Sequence, residues 1–250
     1  MTETIPESDY PILRRAGAAL AQVLAAVRAR LEPGVTAREL DALAEEEILC
    51  RGARPAFKGY FGYPNATCIS VDDEVVHGLP TARAFRTDDI VSVDCGLVLD
   101  GYFVDAAFTA GADGRRWPIC EDTEAALAAG IAQARPGTRV GDIGAAVEAV
   151  ARRNGLGVVR DYAGHGIGRA LHQVPLVPNY GKRQTGPLLK PGTTLPMSWE
   201  TSPPLWRRGR TRAHRWSTVI ASPRRSRTCC MTPSSRTPSR GILDEPCRSA

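Results

Sequence analysis

Residues 90–108 read IVSVDCGLVLDGYFVDAAF, two apolar runs separated by one Asp-Gly dipeptide. An Asp100-Gly101 pair between runs of strand character predicts a hairpin with a two-residue turn of type I′. That turn sets Leu99 opposite Tyr102 and Gly96 opposite Asp105. Asp94 then becomes the diagonal neighbour of Asp105 on the same face of the hairpin. The predicted register therefore brings two carboxylates together on a half-buried sheet surface.

Two neighbouring carboxylates on such a face repel each other and are costly to remove from water. A divalent cation between them, or one carboxylate that bridges two cations, offsets that cost. The alternative is that one aspartate is a solvated strand residue or an acceptor that stabilises a turn. The hairpin alone leaves both interpretations open.

A second segment with chemical character is YAGHGIGRALH at residues 162–172, where glycines flank His165. Glycine on both sides lets the backbone approach closely and leaves the imidazole unshielded, as a metal ligand requires. His172 follows seven residues later, and His77 stands in EVVHGLP, at a predicted strand end before a Gly-X-Pro turn. The alternative for a single histidine is an ordinary core or surface residue.

The rest of the chain alternates helical and strand patterns. Helical periodicity and capping signals predict helices from the Ser8–Pro11 segment to about Leu31, from the Thr36 capping box to about Gly52, and at about 121–133 and 139–154. Period-2 alternation predicts strands between Thr67 and Phe108. A mixed α/β fold class follows from this order.

Two helical segments repeat at an offset of 103 residues. PGVTARELDALAEEEILCRG (33–52) and PGTRVGDIGAAVEAVARRNG (136–155) share five of twenty positions, including the initial Pro-Gly and the closing Gly. Duplication predicts two similar αβ halves that face each other, with a site at their junction. Convergence of two amphipathic helices that each follow a Pro-Gly turn is the alternative.

YAGHGIGRALHQVPLVPNY, the Asp94/Asp105 hairpin and EVVHGLP together resemble type I methionine aminopeptidases, members of the pita-bread metallohydrolases. The resemblance runs from about residue 8 to Thr194. It implies a pita-bread fold, in which two similar αβ halves form a curved antiparallel sheet with helices on its outer face. The implied activity is removal of the N-terminal methionine from nascent proteins by two-metal hydrolysis.

Site residues follow from the same resemblance. The implied metal ligands are Asp94, Asp105, which bridges, and His165. Residues implied to contact the scissile peptide and to stabilise the tetrahedral intermediate are His77 and His172. The implied methionine pocket is lined by Tyr60, Tyr63, Cys68 and Leu171. The cofactor would be two divalent ions, and carboxylate with imidazole ligands suits Co, Mn, Fe or Zn.

The sequence departs from the family after Thr194. The family has a ligand glutamate eight residues after the lysine at the position of Lys190, where this chain has Ser198. Glu200 is a secondary metal candidate, since it keeps the strand face but moves the carboxylate about 7 Å along the strand. The second ligand glutamate of the family has no counterpart. An alternative function is therefore a catalytically impaired or inactive pita-bread protein that keeps only a peptide-binding cleft.

Composition changes at the same place. Residues 201–250 contain eleven Arg, no Lys, six of Val, Ile, Leu or Met, and no Phe or Tyr. Such a segment cannot bury enough apolar surface to offset the entropy of ordering it. The predicted domains are residues 1–200, a pita-bread metallopeptidase domain incomplete at its C-terminal strands, and residues 201–250, a basic Arg/Ser/Pro-rich tail that is disordered or frameshifted. A natural tail that binds RNA or the ribosome is the alternative.

Charge and hydropathy limit the classes of binding partner that we expect for this chain. Residues 1–200 carry 21 basic and 25 acidic side chains, which gives no electrostatic case for specific nucleic-acid binding. No stretch of eighteen apolar residues and no leader is present, so we expect a cytoplasmic protein without membrane contact. Seven cysteines without C-x-x-C spacing predict reduced thiols. The expected partners are N-terminal peptides of nascent proteins, with the ribosome a further candidate, and the expected state is a monomer.

Overall fold

The computed structural model describes residues 3–202 and 213–220. Its α-helices within these residues are α1 (Tyr10–Arg30), α2 (Ala37–Cys50), α3 (Pro118–Gln133) and α4 (Val140–Arg153). Its strands there are β1 (Arg54–Pro55), β2 (Thr67–Val71), β3 (Ile90–Leu99), β4 (Tyr102–Gly111), β5 (Gly157–Val158), β6 (Ala163–Gly166), β7 (Gln173–Pro178), β8 (Thr194–Ser202) and β9 (Ala213–Ile220). The predicted mixture of helices and strands is confirmed.

One antiparallel sheet runs in the order β1-β3-β4-β9-β8-β5, with β2 also paired to β3, and β6 and β7 form a separate ribbon. Helices α1 and α2 pack with β3 and β4 in one apolar cluster, which includes Leu20, Leu40 and Tyr102. Helices α3 and α4 form a second cluster with Val177 and Leu195. Each half of the sheet therefore has its own helical layer, as the pita-bread prediction requires.

The β3–β4 hairpin has the predicted register. Leu99 pairs with Tyr102, and Gly96 pairs with Asp105. Asp100 and Gly101 have φ angles of 50° and 77°, and positive values at both central positions define a type I′ turn. The Asp-Gly dipeptide thus fixes which face of the hairpin carries the two aspartates.

The predicted repeat has a structural counterpart in α2 and α4. Both helices contain 14 residues. The glycines before them have similar φ angles, 94° at Gly34 and 90° at Gly137. The glycines after them also match, with φ angles of 67° at Gly52 and 69° at Gly155. The residue before each helix also forms an isolated bridge to a later segment, Thr36 to Ala84 and Arg139 to Leu188. Matching of turns, helix and bridge in both halves favours duplication over convergence.

His77 lies elsewhere than predicted. Strand β2 ends at Val71, which pairs with Val91 of β3. Because β3 begins at Ile90, only one residue of β3 remains beyond this pair, and β2 cannot continue to His77. The backbone turns instead at Asp72, with φ 56°, and His77 itself has a φ of 58°. The prediction of a strand end at His77 was therefore wrong, and the residue is exposed.

Strand backbone continues past the predicted domain boundary at residue 200. Strand β9 pairs with β8 along its length and with Ala107 of β4. The disorder or frameshift predicted for the tail stays a prediction, because residues 203–212 and 221–250 lie outside the described residues.

Two further observations concern the hydrophobicity of the helices and the state of the cysteines. Among the described residues, no helix is long and apolar enough to cross a membrane. Cys68, Cys95 and Cys120 are free thiols, whereas Cys50 is disulfide-bonded, which corrects the prediction of reduced thiols at that residue.

Candidate active site

The Asp94 and Asp105 side chains lie against each other on the inner face of the β3–β4 hairpin and share a hydrogen bond. Asp105 is only 2% exposed. Burial raises the pKa of Asp94 well above its usual range, and the neighbouring Asp105 charge raises it further. Burial also raises the pKa of Asp105. Both shifts show that a second negative charge is disfavoured here unless positive charge accompanies it.

Asp94 has a buried carboxylate oxygen that a metal ion could satisfy. Its Oδ1 atom is buried and accepts no hydrogen bond from any of the described residues. Buried carboxylate oxygens are normally satisfied, because an unmet acceptor costs the desolvation of the group. A divalent cation would satisfy this oxygen and remove the repulsion between the carboxylates, so the pair fits a metal.

Gly96 lets Ala56 and Phe57 approach the hairpin closely beside this pair. A Cβ atom there would lie 2.8 Å from Cε1 of Phe57 and 3.0 Å from Cβ of Ala56. Since Gly96 stands opposite Asp105, a side chain would push the segment that precedes β2 away from the hairpin. The glycine is therefore required by a close approach rather than by its φ angle.

His165 lies at an irregularity in the β6–β7 ribbon. The pairing of the two strands shifts between Gly164 and Gly166, and such interruptions redirect a side chain next to a site. A Cβ on Gly166 would lie 2.4 Å from the carbonyl oxygen of Val174, so only glycine permits this approach. The local sequence thus sets the direction of the imidazole through the glycines around it.

The tautomer of His165 follows from its hydrogen bond. Nδ1 lies 2.9 Å from the carbonyl oxygen of Gly166, and because a carbonyl only accepts, Nδ1 carries the proton. Nε2 is then the ring atom with a lone pair, the form in which histidine binds metals. Burial lowers the pKa of His165 to about 4, so the ring is neutral at physiological pH.

His172 joins the two halves of the site. Its ring centroid lies 4.2 Å from that of His165, and its Nδ1 lies 2.9 Å from the Tyr60 hydroxyl. Burial lowers the pKa of His172, and the nearby His77 lowers it further. His77 contacts the edge of the Tyr162 ring, with a centroid separation of 6.2 Å. The structure therefore groups three of the predicted site histidines around one cleft.

The four predicted pocket residues belong to one apolar cluster, formed by Ala56, Phe57, Cys68, Val98, Ile167 and Leu171 with Tyr60, Tyr63 and Phe103 around it. Cys68 pairs directly with Asp94 across β2 and β3. The Tyr63 hydroxyl donates toward the Thr67 carbonyl oxygen at 2.9 Å, which holds its ring in place. An apolar cluster thus adjoins the buried carboxylates.

The structure does not bring all predicted ligands together. Among the described residues, no group of three or more His, Cys, Asp and Glu side chains is arranged to hold a metal ion. Ser198 and Glu200 lie in β8, where their backbones pair with Trp216 and His214. The assignment of Asp94, Asp105 and His165 as one ligand set, with Glu200 as a secondary candidate, therefore stays a prediction.

One supporting residue was not anticipated from the sequence. Asp41 of α2 is 7% exposed and accepts hydrogen bonds from Thr67 N at 2.8 Å, Thr67 Oγ1 at 2.7 Å and Asn65 Nδ2 at 2.6 Å. It thereby ties α2 to the start of β2, next to Cys68. An available signal was the position of this acidic residue on the buried stripe of α2, beside Leu40 and Ala44.

Comparisons with known proteins agree with this geometry. The sequence profile of metallopeptidase family M24 matches residues 11–220. A methionine aminopeptidase of Clostridium perfringens is 40% identical over 192 residues, 76% of this chain and 77% of that protein. Methionine aminopeptidase 1 of Mycobacterium tuberculosis is 42% identical over 197 residues, 75% of this chain and 74% of that protein.

Solved structures give the same picture. The crystal structure of methionine aminopeptidase from Thermotoga maritima superposes with a TM-score of 0.84 at 37% identity, covering 89% of this chain and 96% of that one. Prolidase from Pyrococcus furiosus superposes with a TM-score of 0.76 at 20% identity, over 93% of this chain and 66% of that one, and so supports the fold alone.

Proposed function

The chain belongs to metallopeptidase family M24, and we propose that it is a methionine aminopeptidase that removes the N-terminal methionine from peptides. The observation that carries the proposal is the contact between the apolar pocket and the carboxylate pair, fixed by the pairing of Cys68 with Asp94. An unbranched apolar side chain in that pocket would leave its peptide bond beside the carboxylates and the histidines.

Asp94, Asp105 and His165 are the residues we propose to hold the metal. Carboxylate oxygens and a neutral imidazole Nε2 suit Co, Mn, Fe or Zn. The family resemblance implies two ions, which Asp94, Asp105 and His165 would hold, and the unmet Oδ1 of Asp94 supports at least one. A divalent metal bound there supplies Lewis-acid polarisation of a carbonyl and a water of lowered pKa.

The histidines supply the proton chemistry. The Tyr60 hydroxyl at 2.9 Å from Nδ1 fixes the ring of His172, and a Tyr60 that donates leaves the proton on Nε2. His172 can then donate a hydrogen bond to the oxygen that gains charge as the peptide bond is attacked. Because burial lowers the pKa values of His77 and His172, both rings are neutral donors at physiological pH.

The pocket residues select the substrate. Tyr60, Tyr63, Cys68 and Leu171 belong to one apolar cluster and carry no charged group of their own, so an apolar first side chain is favoured against them. We propose N-terminal peptides of nascent proteins as the substrates, since relatives named methionine aminopeptidase match three quarters of the chain. This function implies a monomer that acts in the cytoplasm near the ribosome.

The test is methionine release from the peptide Met-Ala-Ser by the full chain, loaded in turn with Co, Mn, Fe or Zn. We expect release at below about 1 per second, the low end of ordinary enzyme rates, because Ser198 stands at a ligand position of the family. Asp105→Asn should lose the activity, whereas Asp113→Asn, an exposed aspartate just beyond β4, should keep it. Binding of the peptide without release under every metal would instead identify the impaired protein that keeps only a cleft.

A further inference from the structure

The loop between β6 and β7 rests on the β3–β4 hairpin. This loop, residues 167–172, lies between His165 and His172, the two histidines of the second half. The backbone amide of Phe103, the second residue of β4, donates to the carbonyl oxygen of Gly168 at 2.8 Å. Since the same hairpin carries Asp94 and Asp105, this joint sets the histidines relative to the carboxylates.

Arg169 adds three contacts at the joint. Its guanidinium carbon lies 3.8 Å from the centroid of the Tyr102 ring. Its Nη2 lies 3.3 Å from Oδ2 of Asp9, and its Nη1 donates toward the Asp100 carbonyl oxygen at 3.4 Å. A Cβ on Gly101 would lie 2.9 Å from the same Nη1, so the glycine of the turn also makes room for the arginine.

Tyr102 gives the arginine a rigid support. The ring is 1% exposed, and its hydroxyl donates to Oδ2 of Asp9, the oxygen that also contacts Arg169. The Tyr102 hydrogen bond holds the pKa of the Asp9 carboxyl below its usual range, so the carboxylate stays charged at neutral pH. Arg169 is therefore fixed by a ring face, a charge and a carbonyl that all belong to the first half.

We propose that Arg169 is a positioning residue that fixes His165 and His172 against the Asp94/Asp105 hairpin. The contacts of Arg169 with Tyr102, Asp9 and Asp100, which we call the clamp, are a property of the fold. Their kinetic consequence rests on the proposed function. The Arg169 side chain is 59% exposed, and ion pairs of such exposure add little to stability. What the clamp supplies is thus the orientation of the loop.

A neighbouring cavity explains why the loop needs this fixation. A space of about 190 Å³ lies beside the clamp, lined by Ile5, Asp9, Tyr102, Arg169, Gln173 and Val174 among others. Arg169 thus borders open space on this side of the loop. Loss of the guanidinium would leave the Phe103–Gly168 hydrogen bond, the Ile167 N–H to Thr194 carbonyl hydrogen bond at 3.1 Å and the buried Leu171 side chain to restrain the loop.

The experiment compares Arg169→Met and Arg169→Lys with Arg14→Met, which removes an exposed arginine of α1. Amide hydrogen exchange at Phe103 is measured in the full chain, together with kcat and KM for Met-Ala-Ser. In Arg169→Met we expect exchange about tenfold faster, and kcat lower by about 10- to 100-fold, as a displacement near 1 Å costs. KM should change less than kcat, because Tyr60, Tyr63 and Cys68 lie outside this loop and only Leu171 lies within it.

Arg169→Lys should recover only part of the kcat, since an ammonium group keeps the charge but cannot stack its plane on Tyr102. Arg14→Met should match the parent in every measurement. Unchanged exchange at Phe103 in Arg169→Met would overturn the clamp, and faster exchange with an unchanged kcat would overturn the positioning role. If the parent chain releases no methionine, the proposed function fails, and the clamp is then decided by the exchange of Phe103 alone.

Discussion

Replacement of Asp41 by alanine should destabilise the protein strongly, because Asp41 is the acceptor for groups that have no access to water. Thr67 is 0% exposed, and both its backbone N–H and its hydroxyl donate to Asp41 Oδ1, at 2.8 Å and 2.7 Å. Each buried donor left without an acceptor costs about 1–3 kcal/mol. Two such donors give an expected loss of about 2–6 kcal/mol, a large part of the roughly 5–15 kcal/mol typical of a folded domain.

The assay is equilibrium urea unfolding of the full chain and its variants. Asp41→Asn keeps an oxygen for Thr67, so we expect it to lose only about 1–2 kcal/mol, close to the net value of one hydrogen bond to a charged group. Glu46→Ala, an exposed position on the same helix, should change the free energy of unfolding by less than about 0.5 kcal/mol. A loss below about 1 kcal/mol in Asp41→Ala would refute the argument that Asp41 anchors β2.

Three more predictions follow from the site and the tail. Because burial raises the pKa values of Asp94 and Asp105, the folded metal-free protein holds protons more tightly than the unfolded chain. The contribution of this pair to stability should therefore be fully present below the unfolded-state pKa of about 4 and be lost as the pH rises through the raised pKa values. In urea unfolding across that range, Asp105→Asn should lose less stability than the parent. Ser198→Glu should tighten divalent metal binding in a calorimetric titration and raise the rate of methionine release at least about tenfold, because it restores a carboxylate at a ligand position of the family. If residues 201–250 form a disordered tail, limited trypsin digestion should cleave first within 207–215, and persistence of the intact chain under those conditions would contradict that expectation.

The hairpin and its aspartates could be predicted from the sequence because the information is local. A type I′ turn needs two positive φ angles, which an Asp-Gly dipeptide readily adopts. This turn type then fixes the register of the ten residue pairs of the hairpin. The glycines around His165 were equally informative, because a Cβ on Gly166 would lie 2.4 Å from the Val174 carbonyl oxygen, which excludes any side chain. In both places a single residue type determines the geometry of its own segment.

Features that depend on distant segments could not be predicted in this way. The hydrogen bond between Tyr60 and His172 joins residues 112 positions apart, and nothing in either segment alone requires the other. The conformation of His77 depends on where β3 begins, since β2 continues only while it has a partner. Asp41 and Arg169 likewise act through contacts with distant elements. These contacts could not be predicted from the residue types alone.

The central claim is that Asp94 and Asp105 form a divalent metal site beside the methionine pocket, and titration calorimetry tests it most directly. Mn²⁺ is titrated into the metal-free full chain, into Asp105→Asn and into Asp113→Asn. We expect saturable binding of Mn²⁺ in the parent and in Asp113→Asn. Asp105→Asn should lose this binding while its circular dichroism spectrum shows an unchanged fold. The same metal stoichiometry in Asp105→Asn as in the parent would contradict the account, because the bound ion would then lie elsewhere.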